Sequence, residues 1–213
     1  MTATHLIYFS DPMCSWCWGF SPVIEAIEEV WGDELPIRLV MGGLRPGPHE
    51  AMSDEARLEL RSHWRHVTEA SGQPFGPLAL SHSGFVYDTD PAARAVVVVR
   101  RNAPDKALAF LRRLHRAFYV EGLDITDAGQ LCELAAEIDL DRGAFGADLQ
   151  SQETRQETWR DYAIAQRGGV RGFPTLIIGP RGDGAFSMVT RGFQPAAVVL
   201  PSIARELEAL SPA

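Results

Sequence analysis

Two cysteines separated by two residues are the side chains of this sequence best suited to chemistry, namely Cys14 and Cys17 in DPMCSWCWGF. Such a pair can exchange with disulfides, because one thiolate attacks a sulfur atom and the second thiol resolves the mixed disulfide that forms. The chain contains three cysteines in all, too few for the disulfide framework of a small secreted protein. Redox catalysis, metal binding and inert packing are therefore the three interpretations to compare.

Metal binding and inert packing explain the pair less well than redox catalysis does. A structural zinc site usually takes four Cys or His ligands, and no second CxxC accompanies this one. Five histidines show no ligand spacing: His49, His63, His66, His82 and His115. Two of these, His63 and His66, fit a solvated helix face. We therefore expect no metal site, and two buried, unreactive cysteines are the plain alternative.

The segments on either side of the pair predict how it is positioned. Residues 4–10 are short and apolar and are followed by a Ser-Asp-Pro breaker, which predicts a buried strand. Apolar residues then recur at helical spacing from Phe20 to Trp31, before a Gly-Asp pair ends the helix. Cys14 is thereby placed at a helix N-terminus, where unpaired N–H groups and the helix dipole favour a thiolate. We expect Cys14 to be the more exposed, attacking thiol and Cys17 the buried, resolving one.

Strand patterns near both ends of the chain, with helical patterns between them, predict an α/β domain that carries a helical insertion. A second strand is predicted at 36–41, parallel to the first because a helix connects the two. The other predicted elements are helices at 91–102 (capped by Asp90), 105–120, from Thr126 and at about 146–167, a strand hairpin at 175–178 and 186–190, and a closing helix after Pro195. We predict that 1–45 and 146–213 form the α/β domain and that 46–145 form the insertion.

Charge and hydropathy exclude several classes of partner. The formal net charge is −8 and the arginines are scattered among acids, which argues against binding to nucleic acid. No segment approaches the ~18 consecutive apolar residues of a membrane span, and the N-terminus MTATHLIYFS lacks the pattern of a signal peptide. We therefore expect a cytoplasmic protein with no membrane partner, in a compartment that keeps thiols reduced. A homodimer is compatible with the sequence.

Four features together resemble the thioredoxin superfamily and, within it, the DsbA-like proteins described as protein-disulfide isomerases. They are the DPMCSWCWGF segment after a first strand, Pro22 at the position of a helix-kinking proline, GVRGFPTLII at 169–178 and the helical insertion. The resemblance spans nearly the whole chain and implies a thioredoxin fold with a helical insertion domain. It also implies that Pro174 is cis and lies against the CxxC, and that the backbone of Phe173 receives an extended substrate segment.

The chain departs from the exported oxidases of this branch, which commonly carry Pro-His between the cysteines. Ser15 and Trp16 stand there instead and add no positive charge, so less acidification of the attacking thiol is expected. The branch also includes kappa-class glutathione transferases and hydroxychromene-carboxylate isomerases, which act on small molecules with bound glutathione. Those relatives generally lack one of the two cysteines, whereas this chain has both.

We predict a thiol–disulfide oxidoreductase that acts on protein or peptide disulfides through Cys14 and Cys17. Trp16, Phe173 and Pro174 are the expected substrate contacts. No metal or organic cofactor is expected beyond the redox-active disulfide of the pair, and glutathione is a candidate co-substrate. Two alternatives stay open, namely a glutathione-dependent transferase or isomerase of the kappa-like branch and a non-enzymatic adaptor that uses the cysteines as a redox sensor.

Several neighbouring residues admit both a structural and a functional interpretation. Trp18 is expected in the core, whereas Trp16 should be available to a substrate. Asp11 fits a turn before the helix, although it would raise the pKa of the Cys14 thiol if it faced that residue. Cys132 is expected to be a small buried residue, and the GGLRPG loop at 42–47 is either a plain connection or the border of a groove.

Overall fold

The computed structural model of the chain describes residues 4–47, 50–76, 80 and 84–210. His49 and His82, two of the histidines considered above, lie outside the described residues. Within those ranges, no helix combines the length and the apolar character needed to cross a membrane.

Four strands form one mixed sheet at the centre of the molecule. They are β1 (His5–Ser10), β2 (Ile37–Met41), β3 (Thr175–Gly179) and β4 (Ser187–Arg191), in the order β2-β1-β3-β4. Strand β1 pairs parallel with β2 and antiparallel with β3, and β3 pairs antiparallel with β4. The predicted parallel pair and the predicted hairpin are both confirmed, each displaced by one residue or less at its start.

Eight α-helices surround the sheet in the described ranges. They are α1 (Ser15–Trp31), α2 (Asp54–Ser71), α3 (Asp90–Asn102), α4 (Ala107–Arg116), α5 (Ala128–Ala136), α6 (Arg142–Gln150), α7 (Gln152–Arg167) and α8 (Ala196–Leu210). Single turns of 3-10 helix follow α1 and precede α4, and a π-helical segment over Ala117–Glu121 continues α4. The region predicted as one helix at 105–120 is therefore three successive segments.

Three helices begin at residues that differ from the sequence predictions. The predicted helix at 146–167 is two helices, because the Ser151 hydroxyl accepts the N–H of Thr154 and starts α7 there. Asp127 rather than Thr126 caps α5. Asp90 is the first helical residue of α3 and not its cap, since the capping position belongs to Thr89.

One continuous cluster of buried side chains joins the sheet to the predicted insertion. It contains Leu6 of β1 and Phe20 of α1 together with Val96, Leu114 and Phe118 of the helices between β2 and β3. The proposed boundary at residue 146 falls inside α6. The division into an α/β domain and an insertion stays a prediction about chain organisation, while the core is shared.

A buried ion pair fixes α3 against both α7 and β2. The Arg100 guanidinium lies 2.6 Å from Asp161 Oδ2 and donates to the Leu39 carbonyl at 2.8 Å. Asp161 Oδ2 also accepts the backbone N–H of Met41 at 2.9 Å. The carboxylate therefore satisfies the end of β2 and a side chain of α3 at once.

Replacing Asp161 with alanine should lower the free energy of unfolding by about 2–4 kcal/mol, because Arg100 and the Met41 N–H lose a buried partner. The matched control is Glu133→Ala, which removes a surface ion pair to Arg142 whose two side chains are both more than half exposed. That change should lower the free energy of unfolding by no more than about 1 kcal/mol. Equal values for the two variants in urea unfolding would contradict this role of Asp161.

Candidate active site

The two cysteines lie where β1 ends and α1 begins. Cys14 occupies the N-cap position of α1, with φ −90° and ψ 113°, and Cys17 lies in the first turn. Cys14 is 6% exposed and Cys17 is completely buried. Both are thiols in this structure. The local placement expected from the sequence is confirmed, and Cys14 is the thiol that reaches the surface.

The segment before β3 faces Cys14 across the end of the sheet. The Phe173–Pro174 peptide bond is cis, and the Cys14 thiol donates to the Phe173 carbonyl oxygen at 3.6 Å. The two segments meet because Phe9 and Thr175 are paired in the antiparallel β1–β3 ladder. The structure thus brings together Cys14 and Phe173, which are 159 residues apart in the chain.

Asp11 is a fully buried carboxylate that ties two loops to the CxxC. Its Oδ1 accepts the Met13 N–H at 2.9 Å, and its Oδ2 accepts the Leu44 N–H at 2.8 Å. Burial raises the pKa of Asp11 to about 6, although both hydrogen bonds act in the opposite direction. The predicted turn role is correct, but it extends to the loop at 42–47, which the sequence did not connect to Asp11.

The pKa of the Cys14 thiol is raised, contrary to the expectation from its position at a helix start. A hydrogen bond with the Cys17 side chain is the largest cause, and burial is the second. The backbone N–H of Cys17 favours the thiolate but is outweighed, and the charge of Asp11 adds a smaller rise. The sequence expectation included the helix dipole but could not include the extent of burial.

A buried polar layer lies beneath the cysteines. The His115 ring has Nε2 3.1 Å from the Asp11 carbonyl oxygen and Nδ1 3.4 Å from the Ser21 hydroxyl. Burial lowers the pKa of His115 to about 4, so the ring is neutral near pH 7 and Nε2 is the donor to the carbonyl. The Tyr87 hydroxyl donates to the Met13 carbonyl. The sequence showed no ligand spacing at His115 and indicated no link to the site.

A cavity of about 630 Å³ opens beside Cys14. Its apolar wall includes Trp16 and Phe173, and its lining also includes Arg45, Glu59 and His63. The Trp16 ring packs edge-on against His63 at a centroid distance of 5.7 Å and is tilted against Phe193 at 5.7 Å. Trp16 and Phe173, two of the three expected substrate contacts, therefore share one cavity with Cys14.

Two assignments made from the sequence change once the cavity is known. His63 was expected on a solvated helix face, but it lies against Trp16 in the cavity wall. The missed signal is the helical spacing of Ala56, Leu60, His63 and Val67, which share one side of α2. The 42–47 loop contributes Leu44 and Arg45 to the lining and is more than a plain connection.

Trp18 and Cys132 lie apart from the cavity lining. Trp18 is buried in the core, as predicted, and its indole N–H donates to the Pro74 carbonyl at 3.0 Å. Cys132 is half-buried on α5 at the margin of the core, where burial raises its pKa. Within the part of the chain that the structure describes, no cluster of three or more potential metal ligands occurs.

A CxxC at the start of α1 that faces a cis proline before β3 defines a protein of the thioredoxin-fold class, as the resemblance implied. The comparison with protein families agrees, because the model of the DSBA-like thioredoxin domain matches residues 5–193. The chain belongs to this family.

Solved structures with the same fold include three that are informative here. A proposed protein disulfide isomerase from Nitrosomonas europaea is 32% identical, with 99% of this chain and 100% of that chain covered and a TM-score of 0.91. The cytosolic disulfide reductase DsbM from Pseudomonas aeruginosa is 29% identical, with 96% and 99% covered and a TM-score of 0.79. Its structure with GSH is 26% identical over 96% of this chain and 97% of that chain, with a TM-score of 0.72.

Curated relatives with significant similarity are described as adapter proteins and not as oxidoreductases. The ClpXP adapter protein SpxH from Bacillus subtilis (strain 168) is 25% identical over 173 residues, which are 81% of this chain and 57% of that protein. A second SpxH, from Halalkalibacterium halodurans, is 25% identical over 181 residues, 79% of this chain and 56% of that protein. The chain thus spans little more than half the length of these relatives.

The raised pKa of Asp11 predicts a pH-dependent contribution to stability. A carboxyl whose pKa rises on folding favours the folded state below its unfolded pKa, and this contribution is lost as the pH rises through about 6. The linked free energy is about 3 kcal/mol. Between pH 3.5 and pH 7.5 the unfolding free energy of the wild type, relative to that of Asp11→Asn, should therefore fall by up to that amount. Parallel pH curves for the two proteins in urea unfolding would contradict the assignment.

Proposed function

We propose that the protein is a thiol–disulfide oxidoreductase that reduces protein or peptide disulfides with the Cys14–Cys17 dithiol, in the cytoplasm. The observation that carries the proposal is that Cys14 lines the cavity and its thiol donates to the Phe173 carbonyl, with the buried Cys17 thiol within hydrogen-bond reach. Membership in the DSBA-like thioredoxin domain family supports it. The similarity to a cytosolic disulfide reductase supports the compartment and the direction.

The proposed reaction is two successive thiol–disulfide exchanges. The Cys14 thiolate attacks one sulfur of the substrate disulfide, forms a mixed disulfide and releases the other substrate sulfur as a thiolate, which takes a proton from solvent. The Cys17 thiolate then attacks the Cys14 sulfur and releases the second substrate thiolate. Two electrons pass to the substrate, and the pair is left as the Cys14–Cys17 disulfide.

The Phe173–Pro174 segment is the proposed docking edge for the extended chain around the substrate disulfide. The Phe173 carbonyl accepts the Cys14 thiol in the present structure, and a backbone N–H of a docked strand would compete for the same oxygen. Such competition would remove one acceptor of the Cys14 thiol, while the hydrogen bond with Cys17, the largest cause of the raised pKa, would stay. Docking would therefore shift the balance towards the reactive thiolate when a substrate is present.

Glutathione is the proposed electron donor that returns the pair to the dithiol. The structure of DsbM with GSH is similar to this chain and supports the proposal. The cavity beside Cys14 has a volume of about 630 Å³, within the range of ~300–1,000 Å³ that is typical of small-molecule sites. Glutathione acts here as a co-substrate, and its thiol reduces the Cys14–Cys17 disulfide.

The adaptor alternative has one supporting observation, which is the similarity to the SpxH adapter proteins. An adaptor of this kind would present an apolar patch on the helices between β2 and β3. Among the described residues of 46–145, Leu58 is the one large apolar side chain that is exposed. The described surface of the insertion therefore favours the enzyme, and an absence of turnover on a model disulfide would favour the adaptor.

The roles of the cysteines can be tested in insulin reduction supported by glutathione. Cys14→Ser should lower the rate by at least about a hundredfold, because a hydroxyl does not replace the attacking thiolate. Cys17→Ser should accumulate a covalent mixed disulfide at Cys14 that mass spectrometry detects. Cys132→Ser is the matched control and should keep the wild-type rate.

Two outcomes of this experiment would redirect the assignment. Equal rates for the wild type and Cys14→Ser would refute the redox function. Full glutathione-dependent activity of Cys17→Ser towards a small molecule would instead favour the kappa-like transferase or isomerase.

A further inference from the structure

We propose that Arg45 is the carboxylate-binding residue of the cavity and that it selects anionic low-molecular-weight thiols, such as glutathione, as electron donors for the oxidised pair. This inference rests on the proposed function, because it concerns the regeneration of the same Cys14–Cys17 site. The Arg45 side chain is thereby a specificity-determining residue for the donor and not for the protein substrate.

The backbone of Arg45 is fixed on both sides by buried partners. The preceding N–H, of Leu44, donates to Asp11 Oδ2 at 2.8 Å. Arg45 itself donates its N–H to the Thr89 hydroxyl at 3.2 Å, and its carbonyl accepts the Thr89 N–H at 3.1 Å. Thr89 is completely buried. The side chain of Arg45 therefore starts from a backbone position that is held relative to the CxxC.

Close packing beneath the loop gives a second, independent restraint. A Cβ atom added at Gly42 would lie 2.1 Å from the Phe173 ring, and one at Gly43 would lie 2.8 Å from the Tyr162 ring. Gly43 also has φ +71°, a left-handed conformation that side chains disfavour. The loop that carries Arg45 thus rests directly on Phe173, the residue whose carbonyl accepts the Cys14 thiol.

Arg45 supplies the fixed positive charge of the cavity lining. The other titratable lining residues are Glu59, His63, Tyr87 and Cys14, and burial lowers the pKa of His63, so this ring is neutral near pH 7. The charge of Arg45 also lowers the pKa of Tyr87 against the larger, opposite effect of burial. The guanidinium therefore acts on the same hydroxyl that donates to the Met13 carbonyl, next to Cys14.

The guanidinium of Arg45 forms no ion pair with any carboxylate of the described residues. By contrast, the arginines of α3 and α4 form ion pairs, among them Arg94, Arg100, Arg112 and Arg113. A guanidinium presents parallel N–H donors that match a carboxylate. On a chain with a net charge of −8, a cation at this position offsets the repulsion that an anionic thiol would otherwise meet.

The proposed step balances with two equivalents of the thiol. A first glutathione thiolate attacks Cys14 of the Cys14–Cys17 disulfide, forms the Cys14–glutathione mixed disulfide and releases the Cys17 thiolate, which takes up a proton. A second glutathione thiolate attacks the glutathione sulfur and releases the Cys14 thiolate and oxidised glutathione. Two thiols supply the two electrons, and Arg45 binds a carboxylate of the donor during the attack on Cys14.

The test compares glutathione with its dimethyl ester, which keeps the thiol but neutralises both carboxylates. The measured quantity is the ratio of kcat/KM for the two donors in reduction of the oxidised full-length protein. The wild type should prefer glutathione by about tenfold, the size of one charge-assisted hydrogen-bonded pair. Arg45→Gln should bring the ratio close to one, whereas Arg45→Lys should retain part of the preference.

The matched control is Arg160→Gln, which makes the same change in charge at an exposed position of α7 that does not line the cavity. This variant should keep the wild-type ratio. A wild-type ratio near one would overturn the inference without any variant, and so would equal ratios for the wild type and Arg45→Gln. Failure of the proposed function has a separate signature, since neither donor would then reduce the wild-type disulfide.

Discussion

The central position of β1 in the sheet is the constraint on which the site depends. Because β1 pairs with β2 on one side and β3 on the other, the ends of three strands that are distant in sequence meet at one edge. The parallel pair brings the 42–47 loop to this edge, and the antiparallel pair brings Phe173–Pro174 there. Cys14 follows β1 directly and therefore lies between them. A change of register in the β1–β2 ladder would displace the 42–47 loop from the thiol, and one in the β1–β3 ladder would displace Phe173.

The polar groups under this edge of the sheet hold the adjoining loops in place. Asp11 holds the backbone of Met13 and of Leu44 with its two carboxylate oxygens. His115 and Tyr87 satisfy the carbonyls of Asp11 and Met13. These buried contacts stabilise the loop geometry. Burial also disfavours the charged forms of the side chains, since it raises the pKa of Asp11 to about 6 and lowers that of His115 to about 4. This polar layer therefore fixes the positions of the loops but does little to stabilise a thiolate at Cys14.

The sequence predicted those features that depend on local pattern and missed those that depend on tertiary placement. The first strand, the helix start at Cys14 and the hairpin follow from apolar periodicity and turn residues, which act over a few positions. The break at Ser151 was missed because the polar periodicity of α6 continues into α7. His63 and the 42–47 loop become part of the site only when α2 and β2 pack beside α1. The cis bond at Pro174 was implied by family resemblance, since its local sequence does not require it.

The environment of Cys14 bears on the direction of electron flow. The potential of a dithiol pair depends on how strongly the protein stabilises its reduced form, and a stabilised thiolate makes the disulfide a strong oxidant. In this protein burial and the Cys17 thiol raise the pKa of Cys14, so the reduced form gains no stability from a thiolate at neutral pH. The raised pKa of Cys14 therefore agrees with the proposed reducing direction. In the proposed function a docked chain would compete with the thiol for the Phe173 carbonyl, so substrate binding and activation of the nucleophile would be coupled at one oxygen atom.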